Sequence, residues 1–364
     1  MTDTASGYGL SNARGTATFV APVLDYLPPR PRHYRPRIGL IGAGGISEYH
    51  LRAYQKQGWE VAAIADHTLA KAQARAQAFA PNALATTDIE AVLSDPGIDV
   101  IDATPHPKDR LPIIETALCN GKHVLSQKPF VDDPADGERL IHLAESKGLK
   151  LALNHNGRWA PHFSYLAAAI CAGIIGEVAS IDFVLHWDHT WTAGTKFEEV
   201  KHLLLLDFGI HWFDMATVFM NGALPERVYA SVQRTGFQAM RPPFLASVIA
   251  DYPGAQVRLN FNAHVVHGQE DRTIIAGSHG ILRAWGPALN DQRVKLWTAQ
   301  GEAEVPLQGN WFENGFEGTM GELLCAIEDN REPANSARSS LRSLAFCKAA
   351  LRSADEGMPG TPIS

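Results

Sequence analysis

The stretch RIGLIGAGGIS, residues 37–47, decides the fold of the N-terminal half of the chain. Residues 37–41 predict a strand, and residues 46–57 predict a helix. A glycine-rich turn between a strand and a helix is typical of dinucleotide binding, because backbone N–H groups and the helix N-terminus can receive a pyrophosphate. Ser47 replaces the third glycine and is small enough for close packing of helix on strand. The residues predicted to contact the cofactor here are Gly42, Gly44, Gly45 and Ile46.

Asp66 ends the second predicted strand, residues 60–66. An acidic residue at this place can accept hydrogen bonds from the hydroxyls of the adenosine ribose. A carboxylate also repels a 2′-phosphate, so the sequence favours NAD over NADP, although a protonated His67 next door would weaken that preference. The alternative is a solvated carboxylate at a strand end.

The pattern of apolar runs predicts an α/β protein with two domains. From 37 to 155, short apolar runs alternate with helical stretches, which predicts a Rossmann domain with a parallel sheet. From 156 to 364, strand-like runs cluster between 228 and 298, which predicts a C-terminal α/β domain with a large, mostly antiparallel open sheet. That domain is expected to bind substrate and to form the oligomer interface. Helices are predicted at 68–79, 110–119, 134–146, 163–172, 204–220, 319–328 and 336–353.

Residues 1–36 form a predicted N-terminal arm rich in proline and arginine. One interpretation is an extended segment lying on its own domain or on a neighbouring subunit. The other is an anion-attracting patch near the cofactor phosphates.

Composition excludes several classes of protein. No apolar run approaches the ~20 residues that span a bilayer, so no membrane association is expected. The net charge of -7 and the pI near 6.1 argue against nucleic acid as a partner. Four widely spaced cysteines without a CxxC motif suggest a reducing compartment, and the protein is expected to be cytoplasmic.

A lysine, an aspartate and a histidine form the candidate catalytic group. Lys128 closes a strand of the first domain, at the edge where open α/β sheets bind ligands. Asp207 and His211 lie four residues apart, so on one helix both side chains project from the same face. Oxidation of an alcohol needs a cation that stabilises the alkoxide, for which Lys128 is suited, and a base, for which His211 is suited. Asp207 could orient the imidazole or bind substrate, and the alternative is an amphipathic helix with exposed polar positions.

Aromatic and polar residues after the strand at 179–187 suggest a binding surface for a sugar or polyol. They are Trp187, Asp188, His189 and Trp191, and substrate is also expected to contact Lys128, Asp207 and His211. The alternative is a packed loop with two core tryptophans. No tight metal-ligand motif is present, so no metal is expected. The candidate ligands for a zinc or iron site are His186, Asp188, His189, His202 and His211.

From about residue 37 to the C-terminal helices, the chain resembles the Gfo/Idh/MocA oxidoreductases. The resemblance is carried by the glycine turn, Ala103-Thr104-Pro105, the run from Gly121 into Gln127-Lys128-Pro129, Asn156-Gly157-Arg158-Trp159, and 207–214. It implies a catalytic role for Lys128, Asp207 and His211, and cofactor contacts from Thr104, Pro105, His106, Gln127, Lys128 and Arg158. The chain departs from the family at Gln127, where Glu is usual, and at His106 and Asp109, where Asn and His are common.

The sequence therefore predicts an NAD-dependent dehydrogenase acting on a secondary alcohol of a sugar, cyclitol or glycoside. It is expected to work as a homo-oligomer, a dimer or a tetramer. Two alternatives stay open: a redox-neutral glycosidase or epimerase that retains its NAD, and a nucleotide-sensing regulatory protein without catalysis.

Overall fold

The computed structural model describes residues 17–362, which form two sheets with helices packed against them. The first sheet has six parallel strands in the order β3-β2-β1-β4-β5-β6. They are β1 Arg37–Ile41, β2 Glu60–Ala65, β3 Leu84–Thr86, β4 Val100–Ala103, β5 His123–Ser126 and β6 Leu151–Leu153. The central strand β4 is buried at every residue, as expected for a parallel sheet covered on both faces.

Five helices connect these strands. They are α1 Ser47–Gln57, α2 Leu69–Phe79, α3 Ile89–Ser94, α4 Pro107–Cys119 and α5 Pro134–Ser146. The strand order reverses between β1 and β4. From β1 the chain adds β2 and β3 on one side of the sheet, and from β4 it adds β5 and β6 on the other side. Open α/β sheets bind ligands at such a switch point, outside the carboxyl ends of the strands.

The second sheet has eight strands in the order β14-β13-β12-β11-β7-β10-β9-β8. They are β7 Val178–His186, β8 Arg227–Gln233, β9 Leu245–Tyr252, β10 Ala255–Asn262, β11 Glu270–Gly277, β12 Gly280–Ala288, β13 Asp291–Thr298 and β14 Gly301–Val305. Only the pair β7 and β10 is parallel. The predicted fold class, a Rossmann sheet followed by a large and mostly antiparallel sheet, is confirmed.

One face of the second sheet packs on helices, and the residues of the other face are exposed or half-buried. The helices on this face are α6 Pro161–Cys171, α7 Ile210–Phe219 and α9 Ala337–Glu356. Phe183 of β7 and Phe219 of α7 are fully buried and stack with their ring centroids 6.2 Å apart. Helix α8 Trp311–Glu328 packs against α1 and against β5 and β6 of the first sheet. Its Trp311 lies 5.7 Å from Trp212 of α7 between ring centroids, so α8 connects the first sheet to the helices of the second.

The described part of the N-terminal arm lies on its own chain. Thr18 pairs with Glu302 at the edge strand β14, and Tyr165 on α6 donates a hydrogen bond to the carbonyl of Pro22 at 3.0 Å. Arg32 forms ion pairs with Glu328 and Asp329 near the end of α8. The arm therefore covers a sheet edge, and its Arg30 and Arg32 pair with carboxylates on or just after α8 rather than with the glycine turn. Residues 1–16 of the predicted arm lie outside the described residues.

The structure adds elements that the sequence pattern missed. Strand β3 and helix α3 are too short to give a periodic signal, and β14 is a five-residue edge strand. Helix α8 begins at Trp311. The sequence pattern predicts its start only at residue 319, because Gly315 and Gly318 give the first turns a low helix propensity. No helix among residues 17–362 is long and apolar enough to cross a membrane.

Candidate active site

Lys128 connects the first sheet to the helical segment that carries Asp207. It follows β5, and the peptide bond between Lys128 and Pro129 is cis. The ammonium Nζ donates to the backbone carbonyl of Asp207 at 2.7 Å and to its carboxylate Oδ1 at 3.2 Å. Both side chains are partly buried. The structure thus places a lysine cation and a carboxylate together at the carboxyl edge of the Rossmann sheet, where a cofactor and substrate would meet.

The segment around Asp207 is not the continuous α-helix predicted for residues 204–220. Residues Leu204–Phe208 form a π-helical turn, and α7 begins only at Ile210. The N–H of Gly209 donates to the carbonyl of Leu204 at 2.8 Å. A Cβ on Gly209 would lie 2.7 Å from that same oxygen, so only glycine fits there. Such π turns occur frequently at functional sites.

The π turn separates Asp207 from His211. Both residues lie within the described chain, yet Asp207 bonds to Lys128 and His211 has no hydrogen-bond partner at Nδ1. The His211 ring packs edge-on against Trp311, with centroids 5.8 Å apart. The predicted Asp207–His211 pairing on one α-helical face is therefore replaced by an Asp207–Lys128 pairing.

His211 is held in its neutral form at neutral pH. Burial lowers its pKa well below the ordinary value, the positive charge of Lys128 lowers it further, and Asp214 partly opposes these effects. A neutral imidazole beside a lysine cation can accept a proton from a substrate hydroxyl.

Asp214 anchors a buried polar cluster behind His211. Its carboxylate receives two hydrogen bonds from Arg158, at 2.5 and 2.7 Å, and one from Ser343 at 2.7 Å. His155 lies 3.7 Å away. Burial alone would raise the pKa of Asp214, but Arg158 and His155 hold it at about 2. Arg158, expected at the cofactor, instead directs its donors to Asp214 and to the carbonyl of Ala334.

Both the oxygen and the nitrogen of the Gln127 side-chain amide form hydrogen bonds within the protein. Oε1 accepts from the backbone N–H of Lys128 at 2.8 Å, and Nε2 lies 3.1 Å from Nε2 of His50. Nδ1 of His50 lies 2.8 Å from the buried carboxylate of Asp102. Gln127 therefore fixes the backbone of Lys128, and its amide is engaged by neighbours of the same chain.

The glycine turn has room for a phosphate. Gly42 has a φ of +96° and is contacted by Thr104, whose hydroxyl donates to the Gly42 carbonyl at 2.8 Å. A Cβ added at Gly44 or Gly45 would meet no atom within 4 Å. Asp66 accepts from the N–H of Ala43 at 2.7 Å, which places its carboxylate beside the turn. These residues fit a bound dinucleotide.

Arg75 is a cation beside this turn that the sequence pattern did not indicate. It donates to Glu48 of α1 at 2.7 Å and to the carbonyl of Gly44 at 3.3 Å. Pro105 stands beside Gly42, whereas His106 is exposed in front of α4.

The predicted substrate residues form an aromatic wall next to Asp207. Trp187 stacks on His189 at 5.5 Å, and His189 packs on Phe208 at 4.1 Å between ring centroids. Trp191 contacts Phe208 and is 58% exposed. Burial lowers the pKa of His189 to about 4, so this ring is also neutral at neutral pH.

Asp188 accepts hydrogen bonds from the N–H and hydroxyl of Thr190. A cavity of about 300 Å³ lies beside the wall. Its lining includes Trp187, Asp188, His189, Gln269, Asn290 and Phe312. Within residues 17–362, no group of three or more His, Cys, Asp or Glu side chains is arranged to hold a metal ion.

Two matches to known families cover most of the chain. Residues 36–155 match the family described as "Oxidoreductase family, NAD-binding Rossmann fold", and residues 163–283 match "GFO/IDH/MocA C-terminal domain".

Individual relatives are similar over most of their length. The chain is 26% identical to inositol 2-dehydrogenase of Rhizobium meliloti, over 88% of this chain and 97% of the relative. It is 26% identical to D-apiose dehydrogenase of Paraburkholderia graminis, over 87% of each. A crystal structure of an Agrobacterium radiobacter oxidoreductase with NAD+, L-tartaric acid and magnesium superimposes with a TM-score of 0.81 at 19% identity, over 90% of this chain and 98% of that one. The chain therefore belongs to the Gfo/Idh/MocA family of NAD-binding oxidoreductases.

Proposed function

We propose that the protein oxidises a secondary alcohol of a sugar or cyclitol, with NAD as the hydride acceptor. The observation that carries the proposal is the contact of Lys128 Nζ with the carbonyl and carboxylate of Asp207, at 2.7 and 3.2 Å. It places a cation at the sheet edge where substrate would meet the cofactor. The names of two relatives, an inositol and an apiose dehydrogenase, support the substrate class.

Each residue of the site has a role in this proposal. Lys128 stabilises the negative charge that develops on the substrate oxygen. His211, neutral because its pKa is lowered by burial and by Lys128, accepts the hydroxyl proton at Nε2, since its Nδ1 is buried. Asp207 positions the lysine. Bound NAD would supply the hydride acceptor, and the residues that would hold it are the glycine turn, Asp66, Thr104 and Pro105.

The aromatic wall of Trp187, His189, Trp191 and Phe208 supports a carbohydrate substrate. Sugar rings present C–H faces that pack on aromatic rings, while their hydroxyls bond to polar groups. The adjacent cavity of about 300 Å³ has the size of a small-molecule site.

A substrate screen tests the reaction and the cofactor together. Sugars and cyclitols are incubated with the protein and either NAD or NADP, and the absorbance of the reduced cofactor is followed. We expect turnover with at least one such alcohol and a preference for NAD, because the Asp66 carboxylate would lie against a 2′-phosphate. Turnover of a glycoside without accumulation of NADH would favour the redox-neutral alternative, and a preference for NADP would contradict the role of Asp66.

We also propose that the protein is a homo-oligomer that associates through the outer face of the second sheet. Cross-strand pairing places Tyr229 beside Ile249 on this face, and their side chains are 38% and 42% exposed, respectively. Symmetric association would cover such apolar side chains.

Free cysteines at 119, 171, 325 and 347 support a reducing compartment such as the cytoplasm.

Light scattering tests the assembly. The wild-type protein should have a mass above the 39.6 kDa of one chain, and Ile249→Arg should lower it. Leu69→Arg is a matched control, because Leu69 is 43% exposed but lies on α2, away from this face. A wild-type monomer at micromolar concentration would refute the proposed interface.

A further inference from the structure

Arg110 is a fully buried cation at the carboxyl edge of the first sheet. It lies in the first turns of α4 and is 1% exposed. Arginine is rarely buried to this extent without a paired carboxylate. Among the described residues, no Asp or Glu oxygen lies within ion-pair distance of its guanidinium; its hydrogen bonds go to backbone carbonyls.

The guanidinium joins the loops that follow two neighbouring strands. Nη1 donates to the carbonyl of Pro105, in the loop after β4. Nη2 donates to the carbonyl of Pro129 and, at 3.3 Å, to that of Phe130, in the loop after β5. The first loop abuts the glycine turn through Thr104, and the second contains Lys128.

The guanidinium of Arg110 stays protonated although it is buried. Burial lowers its pKa to about 9, and Asp132 partly opposes the shift, so the group is protonated at neutral pH. Three backbone carbonyls could be satisfied at lower cost by a neutral donor, because a buried charge carries a desolvation penalty. A planar fork of donors, however, can hold two loops at a fixed separation.

We propose that Arg110 is a positioning residue that fixes Lys128 relative to the cofactor loop, acting through the carbonyls of Pro105 and Pro129. The inference rests on the proposed function of Lys128. Arg110 acts through the backbone, because its donors hold the carbonyls of the two loops. It occupies the position after Asp109, where the chain already departs from the pattern common in its family.

Lys122, which directly precedes β5 of the same sheet, provides a matched control. It is also buried, and its Nζ donates to the carbonyls of Asp95 and Ile98 at 2.6 and 2.7 Å. It precedes β5, whereas Lys128 follows that strand, so Lys122 lies at the opposite edge of the sheet. Lys122→Met therefore reports the cost of losing a buried cation that bonds to carbonyls, without disturbing the site.

The experiment measures the position of Lys128 without requiring turnover. Amine acylation of the full-length protein is followed by mass spectrometry in wild type, Arg110→Met and Lys122→Met, with folding checked by thermal melting. Nζ of Lys128 is protected by its bonds to Asp207, so Arg110→Met should increase its labelling several-fold relative to the exposed Lys201, while Lys122→Met should not. Arg110→Lys, which keeps a charge and part of the donor set, should be intermediate and serves if the Met variant does not fold.

Kinetics then separate positioning from stability. A displacement of the lysine by about 1 Å can cost about 100-fold in rate, so Arg110→Met should lower kcat by about 10- to 100-fold with a smaller change in KM. Unchanged Lys128 labelling in folded Arg110 variants, or an equal increase in Lys122→Met, would overturn the inference. A Lys128→Met variant with wild-type kcat would instead overturn the proposed function.

Discussion

At the scale of single residues, the candidate site is defined by the hydrogen-bond partner of each polar side chain. Asp207 bonds to Lys128, Asp214 bonds to Arg158, and His211 is left with a buried Nδ1 that has no partner. The Lys128 ammonium keeps a third N–H for a substrate beyond its two bonds to Asp207, and the proposed base of His211 is its other ring nitrogen, Nε2. The carboxylate of Asp214 is fully used by its neighbours.

The lowered pKa of His211 predicts the pH dependence of the reaction. A general base works only when deprotonated, so kcat/KM should rise with pH through the pKa of His211 and level off above it. Because burial and Lys128 lower that pKa, the midpoint should lie below the ordinary value of ~6.5. His211→Asn should remove this limb and lower the rate by about 10²–10⁴-fold.

His142→Asn is the control for this pH profile, because His142 is 72% exposed on α5. Its profile should match that of wild type. An acid limb that persists unchanged in His211→Asn would show that another group is the base.

At the scale of elements, the sequence predicted the fold well and the site in part. Alternating apolar runs and the glycine turn were enough for the Rossmann sheet, because buried parallel strands leave a strong local signal. The position of Lys128 at the end of β5 followed from the same pattern. The i,i+4 spacing of Asp207 and His211 assumes an α-helix, whereas the chain forms a π turn there and Asp207 bonds to Lys128.

The same limit applies to residues whose role depends on tertiary contacts. Arg110 and His155 stand in no recognisable motif, yet one ties two loops together and the other lies beside Asp214. Only the polar run Asn154-His155-Asn156, following an apolar strand, hinted at a buried cluster. Arg158 was expected at the cofactor because of its motif, but its bonds to Asp214 depend on α7, which lies more than fifty residues later.

At the scale of the whole molecule, several cations connect the first sheet and its helices to the part of the chain that follows, and Lys56 and Lys128 are two of them. Lys56 of α1 pairs with Glu313 and Glu317 of α8, and Lys128 reaches Asp207. The first contact lies on helices at the surface, and the second lies at the sheet edge that binds cofactor. We expect only the Lys128–Asp207 contact to serve catalysis.

The most direct test is the steady-state kcat of Lys128→Met, with Lys56→Met as the control that also removes an ion pair between these two parts of the chain. Removal of one group that stabilises an oxyanion costs about 10²–10³-fold in rate. We therefore expect a loss of that size in Lys128→Met, with NAD affinity and melting temperature close to wild type, and a near-normal kcat in Lys56→Met. A folded Lys128→Met protein that binds NAD and turns over substrate at the wild-type rate would contradict the account.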